Sequence, residues 1–211
     1  LEIQYAYSPT FNLQSTGTEG TDFHRFLGWG SDGTNLLLFT FGAAAVANLS
    51  SLFAADDWIY ISGSGRWSGL HQVKSTGGTT GILTLKTKCN LKPSKITVTG
   101  TFATDETFNG DSAAADMDIE AFKDAQAYRD TSYVFIENSA ATVSNGLFSL
   151  STDTTSGQLT FANKITIDAD GDYTSTAAAF SAESADEVTI YNAFYEQISV
   201  YEGVEVLSGA S

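Results

Sequence analysis

Short runs rich in Thr, Val, Ile, Tyr and Phe alternate along most of the chain with clusters of Gly, Asp, Asn and Ser, the pattern of antiparallel strands joined by tight turns. The pattern predicts strands at 35–41, 58–62, 69–74, 81–88, 95–102, 132–137, 146–151, 158–161, 164–168, 187–191 and 197–206. In Lys95-Ile96-Thr97-Val98-Thr99, Ile96 and Val98 share one face and Thr97 and Thr99 the other, so one face packs and the other is wet. Trp58 and Tyr60 oppose Ile59 and Ile61 in the same way, and one of those two faces is core. His71 shares a face with Val73, opposite Leu70 and Gln72, which suits a hydrogen-bonded strand histidine. Gly77-Gly78 and Gly171 provide the positive φ of hairpin turns. Two prolines, Pro9 and Pro93, leave the ladders between them with their donors.

Two stretches read as helical. Residues 112–129 are rich in Ala, Glu, Gln and Lys, with Ser112 as N-cap and Asp116, Asp118 and Glu120 near the start. A shorter helical segment is expected over 43–53. The expected fold is therefore mainly β, an antiparallel β-barrel or β-sandwich with one or two short helices. The three Trp, both His and most basic residues precede Gly100, which suggests a barrel-like domain over 1–100 and a sandwich-like domain over 101–211. A barrel inserted into a larger sandwich, the two interleaved, would produce the same text.

Composition narrows the function classes. A chain of 211 residues buries a real core without metal or disulfide staples, and 42% hydrophobic residues with 17% charged argue against disorder. The balance of 25 acidic against 10 basic residues, a net charge of -15, repels a phosphate backbone, so no nucleic-acid partner is expected. No membrane partner is expected either, because the longest apolar stretches, 36–41 and 42–47, are too short to span a bilayer. The single Cys89 excludes an intrachain disulfide and multi-cysteine metal sites, and reads as a half-buried side chain at a strand end. The chain opens on Leu1 without Met, which leaves a processed start and an incomplete sequence both open.

Candidate chemistry is sparse. His24 and His71 sit in separate segments, outside metal-ligand spacing and away from nucleophile motifs. Gly63-Ser64-Gly65 lacks the Gly-Lys-Ser/Thr ending of a phosphate loop. Asp168, Asp170 and Asp172 alternate as a calcium site would, but Gly171 precedes the third acid, and a solvated hairpin is the preferred reading. Asp56-Asp57 and Asp186-Glu187 are paired carboxylates of the kind a glycosidase uses, and coincidence in so acidic a chain explains them better. Asn48-Leu49-Ser50 is a glycosylation triplet close to chance. No cofactor and no catalytic residue are expected.

The segment Asp56-Asp57-Trp58-Ile59-Tyr60-Ile61-Ser62-Gly63-Ser64-Gly65-Arg66-Trp67-Ser68-Gly69-Leu70-His71-Gln72-Val73, followed by Gly81-Ile82-Leu83-Thr84-Leu85-Lys86, carries a resemblance. An acidic turn, a short strand ending in Ser-Gly, a Gly-rich linker, a strand ending in Val and a further strand resemble a module of virion proteins from tailed, particularly marine, bacteriophages. The resemblance covers about residues 52–88 and implies a small, strongly bent barrel, with corners at Gly63, Gly65 and Gly69 and Val73, Leu83 and Leu85 inside. It also implies a non-enzymatic virion component: a capsid-decoration, neck or tail protein whose partners are other virion proteins and copies of itself. Tyr195, Tyr201, Val204 and Trp67 are the candidate assembly contacts, with 197–206 expected as an edge strand open to strand addition. The alternative is a secreted or surface carbohydrate-binding sandwich using Trp29, Trp58 and Trp67.

Overall fold

The computed structural model describes residues 23–42, 49–77, 81–91, 95–100, 107–109, 133–139, 145–150, 158–178 and 186–202. Twelve strands lie among them: β1 (Phe23–Ser31), β2 (Asn35–Phe39), β3 (Trp58–Ser62), β4 (Gly69–Thr76), β5 (Ile82–Lys88), β6 (Lys95–Gly100), β7 (Thr107–Asn109), β8 (Tyr133–Glu137), β9 (Gly146–Leu150), β10 (Gln158–Ile167), β11 (Tyr173–Ala177) and β12 (Asp186–Tyr201). One helical turn, α1 (Leu49–Leu52), precedes β3. The fold is mainly β and antiparallel, as the alternation predicts. The expected helix at 112–129 lies outside the described residues, and of the segment 43–53 only α1 is helical among them.

Six strands close on themselves. The neighbours run β1-β2-β5-β4-β3-β12, and β12 pairs back to β1, so these strands form a barrel without a free edge at their junctions. Alternation along each strand sends one set of side chains inside: Phe26 and Trp29 from β1, Leu36 and Leu38, Ile59 and Ile61, Val73, Leu83 and Leu85, and Ile198 and Val200. Val73, Leu83 and Leu85 are each fully buried there, where the resemblance places them. Leu49 of α1 and Phe53 join the same core. Burying each such side chain contributes about 1.5–3 kcal/mol.

A sheet wing extends from the barrel. The first half of β12 pairs with β8 on one side and β6 on the other, and β8-β9-β10-β11 follow in order. Outward-facing Leu27, Leu37, Phe39 and Ile82 of the barrel pack with Phe135, Leu147, Ile165 and Ile167 of the wing into a second core. Phe39 and Phe135 stack there with ring centroids 4.6 Å apart. Strands from both sides of Gly100 thus share β12 and this core.

Two glycines permit close approaches that a side chain would block. Where β1 crosses β12, a Cβ on Gly28 would lie 1.9 Å from the Phe194 carbonyl oxygen. The register slips between Phe26 and Gly28, so Phe26 and Trp29 both face the interior although they are three positions apart. Gly63 adopts φ +89° at the end of β3, and a Cβ there would meet the Gln197 carbonyl oxygen at 2.4 Å.

The structure corrects several strand boundaries. The predicted strands 158–161 and 164–168 are one strand, β10, and 187–191 and 197–206 fall largely on one, β12. β1 was not predicted, because Arg25, Gly28 and Gly30 interrupt its alternation and most of it is buried on both faces. β7 and β11 were not predicted either; β11, Tyr-Thr-Ser-Thr-Ala, has too little apolar surface to mark it.

Candidate interaction surface

An outer face of the barrel is built by register. Directly opposed residues of an antiparallel pair project to the same side, and Leu70 pairs with Tyr60, Tyr60 with Tyr201, and Tyr201 with Phe23. Because Ile59, Ile61 and Val200 point into the core, the row Leu70-Tyr60-Tyr201-Phe23 faces outward across β4, β3, β12 and β1. All four are partly buried, and the Phe23 and Tyr201 rings lie 5.6 Å apart. Trp58, two residues from Tyr60 on the same face and opposite Gln72, is 40% exposed. It is the exposed large hydrophobic residue among the described ones.

Polar groups border this row. Arg25, two residues beyond Phe23, donates to the Gly171 carbonyl and lies 3.9 Å from the Asp172 carboxylate, which ties the β10–β11 turn to the barrel. Tyr173 donates its hydroxyl to the carbonyls of Phe26 at 3.1 Å and Ile198 at 3.2 Å. At the other margin Lys86 pairs with Asp56, and the Asp57 carboxylate accepts the Ala54 amide at 2.7 Å. Asp56 and Asp57 therefore each serve the turn before β3. Side chains of Asp186 and Glu187 lie outside the described ones.

The candidate contacts fall in separate places. Tyr201 belongs to the row just described. Tyr195 faces outward from the same strand six residues earlier, about 20 Å away along β12, where its ring stacks on Tyr133 at 5.4 Å and its hydroxyl accepts from Gln197 at 3.0 Å. Trp67 sits in the turn between β3 and β4, edge-on to Trp29 at 5.3 Å, with the Arg66 guanidinium over its ring at 5.2 Å. Val204 lies outside the described residues. The segment expected as an edge strand is not one: Ser199, Val200 and Tyr201 pair with β1 on one side and β3 on the other. The alternation Ile198-Ser199-Val200-Tyr201 reads the same in a closed barrel strand as in a half-exposed edge, because both bury one face only.

The three tryptophans form no common platform. Trp29 is 3% exposed and stacks on Phe194 at 3.9 Å, and Trp67 packs against it, closing one end of the barrel beside the Ser64–Glu196 hydrogen bond. His71 belongs to the same end. Its Nδ1 meets the Thr87 hydroxyl at 2.6 Å and its Nε2 the Trp67 carbonyl at 2.7 Å, the hydrogen-bonded strand histidine that the alternation suggests. Burial lowers its pKa against the raising effect of the Trp67 carbonyl.

Other titratable groups serve the packing. Burial lowers the Lys164 ammonium to about 8, with its Nζ 4.2 Å from the Phe41 ring centroid. Burial, then the hydrogen bond to Glu137, holds the Tyr191 phenol well above its usual range. The acidic turn is a hairpin: Asp168 Oδ1 accepts the amides of Asp170 at 3.0 Å and Asp172 at 2.9 Å, and Gly171 adopts φ +85°. Among the described residues no group of three His, Cys, Asp or Glu is placed to hold a metal ion. Cys89 is buried just past β5, deeper than its sequence position suggests, and donates its amide to the Thr34 carbonyl at 2.9 Å.

The aromatic row was not legible as a unit in the sequence. Its members come from four strands, and only the register brings Phe23 beside Tyr201 and Tyr201 beside Tyr60. The local signal was the Trp58/Tyr60 alternation against Ile59/Ile61. Compared with known proteins, the chain matches no family model, no curated protein and no solved structure.

Proposed function

We propose that this chain is a non-enzymatic structural component of a tailed-phage virion, a capsid-decoration, neck or tail protein that works through protein–protein assembly. The observation that carries the assembly reading is the apolar row Leu70-Tyr60-Tyr201-Phe23 with Trp58 exposed beside it. Aromatic side chains of this kind supply large contact area at low entropic cost and dominate interface energetics. The phage reading is supported by the segment that carries the resemblance: residues 58–88 build β3, β4 and β5 of a closed barrel, with Val73, Leu83 and Leu85 inside. Partners are other virion proteins and copies of the chain, and the place of action is the particle.

Mass spectrometry of purified particles, with light scattering on the isolated chain, tests the proposal. The expected result is a fixed, high copy number in particles. The double variant Trp58→Ser/Tyr201→Ser is expected to keep the wild-type circular dichroism spectrum and to lose at least tenfold in incorporation. Absence of the chain from particles together with a stable monomer in solution would overturn the proposal. The carbohydrate-binding reading then follows, through Trp58 flanked by Gln72 and Tyr60. Glycan binding lost in Trp58→Ala and kept in Trp67→Ala would establish it, since Trp67 is packed against Trp29.

A further inference from the structure

We propose that His24 is an acid-sensitive latch on the seam that closes the barrel: protonation of its imidazole opens the pairing of residues 23–26 with 198–201. His24 lies on β1 opposite Val200 of β12, is 1% exposed, and packs edge-on against Phe26 with ring centroids 5.2 Å apart. Among the described residues neither ring nitrogen has a hydrogen-bond partner. A neutral imidazole tolerates this poorly, and an imidazolium, with two buried donors and a charge, far less.

Among the described residues the strands packed around the ring carry no charge that faces it. Facing the interior from the neighbouring strands are Val200 and Ile198 of β12, Ile61 and Ile59 of β3, and Leu38 of β2. The Thr40 hydroxyl beyond β2 donates to the Arg25 carbonyl. Arg25 itself projects outward to Gly171 and Asp172. α1, Leu-Ser-Ser-Leu, carries no charge. Glu202 follows Val200 by two residues, past the end of β12, and accepts no hydrogen bond from the ring. His71, the other histidine, lies on β4 and is hydrogen-bonded to Thr87 and the Trp67 carbonyl.

The cheapest route to water for the charged ring is to part the seam locally. β1 pairs with β2 only from Gly28 onward, so β12 is the one strand that residues 23–26 pair with; parting them also breaks the side-chain bonds of Thr40, Tyr173 and Arg25 and leaves the remaining barrel pairs in place. The linkage has a definite sign. Burial lowers the pKa of His24 from 6.5 to about 4 in the closed state. The opened state therefore takes up a proton as pH falls through about 6.5 while the closed state does not until about 4. Seam stability is full above pH 6.5 and declines between 6.5 and 4.

Hydrogen exchange on the full chain, corrected for intrinsic rates, reads the opening directly. The opening constant at residues 23–26 and 198–201 is expected to rise about 25-fold between pH 7.5 and pH 5. His24→Phe removes that rise and His71→Gln retains it, while the background from the acidic residues is common to all three chains. An undiminished rise in His24→Phe overturns the proposal. So does an imidazole of His24 that titrates near 6.5 in the unmodified chain with the seam still protected, a nuclear magnetic resonance measurement that decides the matter even where His24→Phe fails to fold.

Discussion

Phe39→Ala is expected to lower the free energy of unfolding by about 3–5 kcal/mol. Phe39 is fully buried, stacks on Phe135 at 4.6 Å and meets Tyr191 at 5.7 Å, so its ring joins the outside of the barrel to the wing. Truncation removes the transfer free energy of the ring and leaves a cavity that two rigid sheets close only in part. Against a total stability of about 5–15 kcal/mol, the loss is large enough to lower Tm by roughly 10 °C in a chain of this size. Urea unfolding followed by tryptophan fluorescence measures it. Phe39→Leu is expected to recover at least half of the loss, and equal losses for Ala and Leu would mean that the stacked geometry, not the filled volume, sets the stability.

Gly28→Val tests the barrel seam from the other direction. Its Cβ would lie 1.9 Å from the Phe194 carbonyl oxygen and 2.9 Å from the carbonyl carbon, both backbone atoms that no rotamer change can move. The two strands must separate by an ångström or more at the crossing, which breaks the register from Phe26–Ile198 to Trp29–Phe194. The expected cost is about 3 kcal/mol or more, the upper end of overpacking penalties. Hydrogen exchange should report lost protection in β1 and β12 and retained protection in the β9–β10 pair. Uniform loss across both would show that the wing does not outlast the barrel.

His24 and Gly28 sit four residues apart on one strand that the sequence did not announce. Arg25 and two glycines within nine residues look like a loop when read locally. The structure uses each of them: Arg25 reaches the Gly171 carbonyl, and Gly28 and Gly30 let β12 and the Phe39 ring come close. Local propensity lost here to tertiary packing. The candidate contacts follow the same division. Trp67 and Tyr195 are recognisable as large aromatics in sequence, yet their packing against Trp29 and Tyr133 depends on chain separations of tens of residues.

The sequence by itself determined the mainly β class, the strands with clean alternation, the pairing of Ile59 with Ile61 on one face against Trp58 and Tyr60 on the other, and the hairpin at Gly171, whereas which of those two faces is core came from the structure. These are properties of a period-2 pattern and of the few residues that accept positive φ, and both act within a few residues. Tertiary structure alone decided that β12 is one sixteen-residue strand shared by barrel and wing, that residues 197–201 lie inside a closed sheet, and that Phe23, Tyr60 and Tyr201 form a row. Alternation records that one face of a strand is buried and is silent about what lies at its two edges. At β12 those edges are filled by strands far away in the chain, with Val200 paired to Ile61 139 positions before it and to His24 176 positions before it, and no local pattern carries that pairing.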